Sequence, residues 1–500
     1  MAVAIEELRE RLGTISDLAK AGALLFWDER TKMPPAGAGA RADQVATLAR
    51  LGHELLTADE LATLIERASD ELDAGPDSDD ARLVRVARRD AAKARRVPSE
   101  LRAEITRNAS LAEQAWVKAR RESDFAAFRP HLERNVELAR RYVECFAPHE
   151  HPYDPLLDDY EPGMTTAELE PVLATLRDGL RPLVERLADA DPPDDSLLHG
   201  DFPVARQREL CADVLAALPL AEDERRLDET VHPFAAAISP TDLRITTRYD
   251  DGYLGTALWS VLHEAGHAMY ENGVAPELAR SPLGHGLSLG FHESQSRLWE
   301  NWVGRSRPFL GHLLATVAGA FPDTFAGVDA EALYRAANRV RPSLIRVEAD
   351  EVTYNLHIVV RFELEVALFT GELDVPDLPE AWSGRMGDYL GVEVPDDASG
   401  VLQDVHWAGG AFGYFPTYAL GNVIAGQLWE LVVAELPEID EQLAHGELAP
   451  LREWLRDRLH RHGAKFEPAE MIERLTGGPL DTAPLLRHLD AKYSGVYALA

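Results

Sequence analysis

The sequence predicts a mainly α-helical protein with a small antiparallel β-sheet and a deep cleft. Through the N-terminal part of the chain, apolar residues recur at helical spacing among Arg, Glu and Ala. By contrast, residues 242–248 alternate polar and apolar side chains, as a half-buried strand does. With 500 residues, 46% of them hydrophobic, the chain is long enough to bury a large core.

Helices are predicted over residues 5–25 and 81–144, where breakers are few. The clearest breaks are Gly75-Pro76-Asp77 and the proline-containing loop at residues 191–195. We expect one domain over residues 1–500. Within it, a helical lobe of about residues 1–225 would precede a second lobe, about residues 226–500, that carries the candidate site.

The strand at residues 242–248 places Asp242, Arg244, Thr246 and Arg248 on one face. At the border of a cleft, such a strand could pair with an extended peptide through main-chain hydrogen bonds. An ordinary surface strand fits the pattern equally well.

Three further helices are predicted after this strand. The first covers about residues 254–272, and the second begins at Gly290 with Leu298 and Trp302 on its apolar stripe. The third is long and runs from Pro342 to Phe369, because proline is favoured at the first helical position.

The first of these helices contains the motif His263-Glu264-Ala265-Gly266-His267. Residues four apart share a helix face, so both imidazoles can reach one metal ion while Glu264 lies beside them. The two histidines lie opposite the apolar stripe of the helix, and Gly273 is a plausible stop. Zinc in such a site lowers the pKa of a water to roughly 7 and polarises carbonyls, which is the chemistry of peptide hydrolysis.

Two histidines leave a catalytic zinc one protein ligand short, since such sites typically have three. The downstream candidates are Glu271, Glu277, His285, His292 and Glu293. Glu271 is geometrically awkward because it lies on the same helix. Glu293 opens the next helix, which could return it to the metal, and spacing favours it only weakly over His292.

The net charge of −34 is extreme, with 85 acidic against 51 basic residues. Such a surface repels nucleic acid and anionic membranes, so neither is an expected partner. The acid excess suits a cell with high internal salt, where counterions screen self-repulsion. Only six of the 51 basic residues are lysines. A GC-rich genome would explain this preference for arginine over lysine, but it would not explain the excess of acidic residues.

The chain is expected to be cytoplasmic. No run of 18 apolar residues suggests a transmembrane helix, and the N-terminus lacks the basic start and apolar core of a signal peptide. The two cysteines, Cys145 and Cys211, form neither a disulfide framework nor a zinc cluster.

Several motifs along the whole chain resemble those of the carboxypeptidase Taq family of metallocarboxypeptidases, and they follow the order found in that family. They are WDERTKMPPAGAGAR at 27–41, HPF at 232–234, DLRIT at 242–246, HEAGH at 263–267, HESQ at 292–295, IRVEAD at 345–350 and GVLQDVHW at 400–407. This ordered set is far more specific than the H-E-x-x-H motif alone. It implies the family's large helical metallopeptidase fold.

The resemblance implies roles for individual residues. Glu293 becomes the third metal ligand beside the two histidines, and Glu264 becomes the general base. His406 matches the family's catalytic-cleft histidine. Tyr418 is the expected phenolic partner for the oxyanion, with Tyr414 second.

An exopeptidase must also bind the free carboxylate of its substrate, and arginine suits this through its bidentate fork. Arg346 is the first choice by resemblance, with Asp350 as the residue that orients it. A helix-surface ion pair between these two residues is the alternative. Arg244 is the second choice as anchor.

The residues that orient the metal histidines are not apparent from the sequence. Zinc peptidases of the thermolysin type carry an acid four residues after the glutamate ligand, but here that position is Arg297. The candidates are Asp404, Asp350 and Glu300.

The sequence therefore predicts a zinc-dependent metallocarboxypeptidase that acts on peptides with a free C-terminal carboxylate. Cobalt or manganese also suits a His₂Glu site. The resemblance implies a homodimer. The alternatives are a zinc oligopeptidase that cuts internal bonds and a non-catalytic helical peptide-binding protein, although mere metal binding would need no Glu264.

Overall fold

The computed structural model describes residues 3–73 and 75–499, which form a largely helical protein. The helices before the sheet are α1 (Val3–Thr31), α2 (Ala38–Thr57), α3 (Asp59–Glu71), α4 (Asp79–Arg96), α5 (Ser99–Glu122), α6 (Phe125–Glu144), α7 (Asp154–Leu157), α8 (Thr166–Ala188) and α9 (Val204–Ala217). The strands are β1 (Arg225–Glu229), β2 (Ala235–Ser239) and β3 (Asp242–Thr247).

The helices after the sheet build most of the core around the cleft. They are α10 (Gly255–Asn272), α11 (Leu289–Arg297), α12 (Arg307–Ala320), α13 (Pro322–Phe325), α14 (Ala330–Ala337), α15 (Thr353–Thr370), α16 (Leu378–Leu390), α17 (Pro416–Glu435), α18 (Ile439–His445), α19 (Ala449–Arg458), α20 (Pro468–Thr476) and α21 (Ala483–Val496). A π-helical stretch, Leu298–Gly304, continues α11. The prediction of a mainly helical fold is confirmed.

The small sheet is mixed and not purely antiparallel. The strand order is β1-β3-β2, with β1 parallel and β2 antiparallel to β3. The strand predicted at residues 242–248 exists as β3, but it lies in the centre, where both edges are already paired. The predicted pairing of this strand with a peptide is therefore wrong, and β2 is the edge strand next to α10.

The hydrophobic core of the described residues divides near residue 100. One cluster joins α5 to α9 with the sheet and all later helices. A smaller cluster packs α1, α3 and α4 against residues 274–283. Helices α1, α3 and α4 thus form an N-terminal layer with a small core of its own.

The helix predicted from Pro342 begins only at Thr353. The Asp350 carboxylate accepts hydrogen bonds from the backbone N–H groups of Val352 and Thr353, both at 3.0 Å, and so caps the start of α15. Upstream of this cap, the chain forms only a 3₁₀ turn at Arg346–Glu348. A side-chain cap inside the predicted helix is the reason for the later start.

Within the described residues, no single helix is long and apolar enough to cross a bilayer. The bent pair α17 and α18 meets the length and composition criteria only jointly, and α17 is mostly buried in the core.

Candidate active site

Helix α10 lies against the sheet and directs the H-E-x-x-H side chains into the cleft. His263 and His267 are partly exposed, whereas Glu264 is buried. Gly266 makes this arrangement possible. A Cβ at this position would lie 2.6 Å from the backbone oxygen of Gln295 on α11. The two helices therefore touch backbone to backbone next to the histidines.

This close approach brings Glu293 of α11 to both imidazoles. Its Oε2 atom lies 3.6 Å from Nε2 of His263 and 3.5 Å from Nε2 of His267. Ligand atoms of these three residues all lie within 4.8 Å of one another. A tetrahedral ion with bonds of 2.0–2.2 Å needs ligands roughly 3.4 Å apart, so the geometry fits one metal ion.

A glycine on α17 makes room for the Glu293 side chain. A Cβ on Gly421 would lie 2.6 Å from Cγ of Glu293. Tyr418 lies one helical turn before Gly421, so the same helix face carries Tyr418 to the site.

His263 and His267 each have a hydrogen-bond partner on the ring nitrogen that faces away from Glu293. Nδ1 of His263 lies 2.9 Å from Oε2 of Glu300, one of the three candidates from the sequence. Nδ1 of His267 lies 2.6 Å from Nδ1 of His292, whose Nε2 lies 3.0 Å from Oε1 of Glu271. These contacts fix the ring orientations and leave both Nε2 atoms free for a metal.

Arg297 takes the place of the acid expected in the thermolysin pattern. It donates to Oε1 of Glu293 at 2.7 Å and to Oε2 of Glu300 at 3.0 Å. Burial alone would raise the pKa of Glu293, but the charges of Arg297 and the two metal histidines hold it well below its usual range. Glu293 is therefore ionised and could act as a metal ligand.

Glu264 combines burial with an unsatisfied atom. Its Oε2 is buried and has no hydrogen-bond partner among the described residues. Burial raises the pKa of Glu264 to about 7, with Glu293 and Glu300 adding to the rise and His263 opposing it. An unpaired carboxylate oxygen beside a metal triad is available to accept a proton.

Arg346 is buried, but its partner is Asp404 and not Asp350. Its Nε and Nη2 atoms donate to Oδ1 of Asp404 at 3.0 and 2.8 Å, and Nη1 donates to the Tyr354 hydroxyl at 2.8 Å. Asp350 instead caps α15, so the predicted orienting role of Asp350 is wrong. Arg361 donates to the other Asp404 oxygen at 2.7 Å. Three of the five N–H groups of Arg346 are thus engaged.

His406 and Tyr418 lie together, as the resemblance implies. Nε2 of His406 is 3.2 Å from the Tyr418 hydroxyl, and the Arg346 guanidinium lies 4.8 Å from the centre of the Tyr418 ring. Burial, with the charges of Arg346 and Arg361, lowers the pKa of His406 to about 3, so its imidazole is neutral. Tyr414 packs its ring against both His406 and Tyr418.

Arg244 lies away from this group. It donates to Asp242 at 2.5 and 3.0 Å and stacks 4.5 Å above the Trp27 ring of α1. Its neighbours Leu243 and Ile245 are buried in the core that includes α10, so Arg244 points to the opposite face of the sheet. The structure does not bring the second-choice anchor to the metal site.

Sequence reasoning missed Tyr354 and the role of His292. The Tyr354 hydroxyl accepts a hydrogen bond from Arg346, and the Tyr354 ring lies 4.2 Å from the Arg297 guanidinium. Tyr354 therefore connects Arg297, which binds Glu293, to the Asp404 cluster of Arg346, Arg361 and Asp404. Nothing in its spacing points to this role. His292 was considered only as a ligand, although its place beside Glu293 in HESQ is the one available signal.

Comparison with known proteins matches this architecture along nearly the whole chain. A family model described as carboxypeptidase Taq (M32) metallopeptidase matches residues 7–493. Thermostable carboxypeptidase 1 of Thermus thermophilus is 45% identical over 491 residues, which is 96% of each chain. Carboxypeptidase 1 of Bacillus subtilis is 40% identical over 495 residues, which is 99% of each.

Solved structures agree. An M32 carboxypeptidase from Deinococcus radiodurans R1 superposes with a TM-score of 0.96 at 39% identity, covering 99% of this chain and 100% of that one. A Pyrococcus furiosus carboxypeptidase gives a TM-score of 0.95 at 34% identity, with 99% of each chain covered.

Together the fold and the site define a helical metallopeptidase. The family match and the sequence identity to named carboxypeptidases identify which group of metallopeptidases this is. The chain belongs to the carboxypeptidase Taq (M32) family, and the protein is a metallocarboxypeptidase.

Proposed function

We propose that this metallocarboxypeptidase uses zinc held by His263, His267 and Glu293. Two imidazole nitrogens and one carboxylate oxygen form a donor set that zinc favours and that cobalt or manganese also accepts. When bound, the metal would activate a water and polarise the scissile carbonyl. Three protein ligands leave a position for that chemistry.

Glu264 acts as the general base in this proposal. Its buried Oε2 has no hydrogen-bond partner, so it can accept a proton from the attacking water and pass it to the leaving amine. Glu264 lies between the two metal histidines but is not itself one of the three convergent ligands.

His406 and Tyr418 would stabilise the oxyanion. Burial raises the pKa of Tyr418 well above its usual value, so its hydroxyl keeps its proton and can donate it in a hydrogen bond. The neutral His406 ring lies 3.2 Å from this hydroxyl and holds it in place. Preorganised donors of this kind stabilise charge that develops in the transition state.

Arg346 is the proposed anchor for the substrate carboxylate. Asp404 and Tyr354 fix its guanidinium, which leaves two N–H groups for substrate oxygens. Arg244 suits this role less, because Asp242 and Trp27 already hold it on the other sheet face.

We further propose a cytoplasmic homodimer that acts on peptides and binds neither nucleic acid nor membranes. The net charge of −34 supports the exclusion of anionic partners. The homodimer rests on the family resemblance, and light scattering tests it.

One observation carries the proposal, namely the convergence of three ligand atoms beside the unpaired oxygen of Glu264. The test is mass spectrometry of a mixed peptide set after incubation with zinc-loaded and with chelated enzyme. We expect ladders of C-terminal truncations that disappear with the chelator and that C-terminal amidation suppresses. Internal fragments from amidated peptides would instead indicate an oligopeptidase.

A further inference from the structure

A cavity of about 200 Å³ lies beside the metal ligand His267. Its walls come from α1, β2, α10, α11 and the segment before α11, and they include Lys20, Ala237, Glu271 and His292. The first helix of the N-terminal layer thus contributes a lysine to the wall of a cavity that His267 also lines.

Lys20 differs from most lysines of this chain, which contains six in all. Four of the others form ion pairs: Lys32 with Asp228, Lys93 with Asp158, Lys465 with Asp79 and Lys492 with Glu351. Lys20 donates only to the backbone oxygen of Ala237, at 2.8 Å. Among the described residues, no carboxylate oxygen lies within ion-pair distance of its Nζ.

Glu271 lies in the same cavity wall, but other groups engage it. Its Oε1 atom accepts from the backbone N–H of Gly286 at 2.7 Å and lies 3.0 Å from Nε2 of His292. The cavity therefore holds an ammonium group without a directly bound anion in a protein whose surface is strongly acidic.

Lys20 lies beside the outer edge of β2, the strand that pairs with β3 at one end of the sheet. The backbone N–H of Thr246 on the β3 side donates to the oxygen of Phe234 at 3.1 Å. Since main-chain groups alternate in direction along an antiparallel pair, Ala235 and Ala237 turn theirs away from β3. An extended peptide that pairs with β2 would lie next to Lys20.

We propose that Lys20 binds a carboxylate of the peptide substrate in this cavity, an inference that rests on the proposed peptidase function. An ammonium group has three N–H donors, and Ala237 uses one, so two remain for carboxylate oxygens. Because Arg346 is the proposed anchor of the C-terminal carboxylate, the group that Lys20 binds is an Asp or Glu side chain of the peptide.

The test compares wild type with Lys20→Met on neutral peptides and on matched peptides that carry Glu or Gln at each of the last three positions. Loss of a charge-assisted contact should raise KM by about tenfold or more, with kcat nearly unchanged. A KM that rises equally for all peptides would place the C-terminal carboxylate at Lys20 and would overturn the proposal. If a side chain is bound, only the preference for Glu over Gln disappears, at one position. An unchanged KM for every peptide overturns the proposal.

Lys32→Met is the matched control. Lys32 follows α1 and its Nζ lies 2.7 Å from Oδ1 of Asp228 on β1, so this variant also removes one charge and one tie between the N-terminal layer and the sheet. Lys32→Met should leave KM unchanged, and Lys20→Arg should restore much of the binding lost in Lys20→Met. Equal KM changes in both methionine variants would assign the effect to loosening of α1 and overturn carboxylate binding.

The experiment also separates this inference from the proposed function. Absence of C-terminal ladders with the zinc-loaded wild type would refute the function itself. Normal ladders with a Lys20→Met enzyme that matches wild type in KM would refute only the role of Lys20.

Discussion

The proposed metal triad (His263, His267 and Glu293) and the Asp404 cluster (Arg346, Arg361 and Asp404) both bring ionisable side chains together in the cleft, yet they are organised in opposite ways. In the triad, two Nε2 atoms and one carboxylate oxygen converge on a common point and Glu264 keeps an unpaired oxygen. In the cluster, Arg346 and Arg361 bind the two oxygens of Asp404 and neutralise it. The difference shows that the unpaired oxygen of Glu264 is available to accept a proton, whereas the paired charges of the Asp404 cluster stabilise the structure of the cleft.

The most severe test of this difference is Glu264→Gln. We expect kcat to fall by about 10²–10⁴-fold, because proton transfer by a positioned side chain contributes that much. Zinc content should stay near one ion per chain, since Glu264 is not a ligand. Release of the C-terminal residue and metal analysis measure the two quantities. Loss of zinc in this variant would give Glu264 a different role.

Asp404→Asn tests the cluster. The variant leaves two buried guanidinium groups without their anion, which typically costs about 3–5 kcal/mol in the free energy of unfolding. Asp350→Asn is the control, because asparagine also caps helices well and the change should cost under about 1 kcal/mol. Urea unfolding of both variants gives the comparison. Equal midpoints would show that the cluster does not stabilise the fold.

The same cluster predicts part of the pH dependence of stability. Burial alone would raise the pKa of Asp404, but Arg346 and Arg361 hold it well below its usual range. A depressed folded-state pKa stabilises the fold above the unfolded value of about 3.9, and this contribution is lost as the pH falls further. Wild type should therefore lose stability below about pH 4 more steeply than Asp404→Asn. Parallel curves would contradict this.

The smallest expected effect is that of His292→Ala on metal affinity. His292 orients His267 through a contact of 2.6 Å, and loss of such a partner typically weakens binding by about 10–100-fold. Glu293→Ala removes a ligand and should weaken binding more. Competition with a zinc chelator measures both. The reverse order would make His292 the ligand.

The sequence predicts contacts well where they depend on spacing along one helix. His263 and His267 share a face because four residues make about one turn, and the ordered motifs placed Glu293 on the next helix. It predicts poorly where the partner is distant in sequence. Arg346 and Asp350 have the spacing of a helical ion pair, but no helix forms there and Arg346 binds a carboxylate 58 residues away.

The sheet shows the same limit. The alternation of polar and apolar residues predicts β3, because the direction of successive side chains along a strand depends only on the local sequence. Its central position depends on β1 and β2, whose sequences alternate less clearly. Lys20 and Tyr354 also escaped prediction, because tertiary packing alone brings them to the cleft.

The outer edge of β2 also bears on aggregation. An exposed edge strand can add strands from another copy of the protein and so seed aggregation. Here α1 packs against β2, and the Lys20 ammonium donates to the outward carbonyl of Ala237. A charged side chain at this place discourages a second sheet from docking. The same contact therefore holds an ammonium group in the cavity and protects this edge from pairing with another copy of the chain.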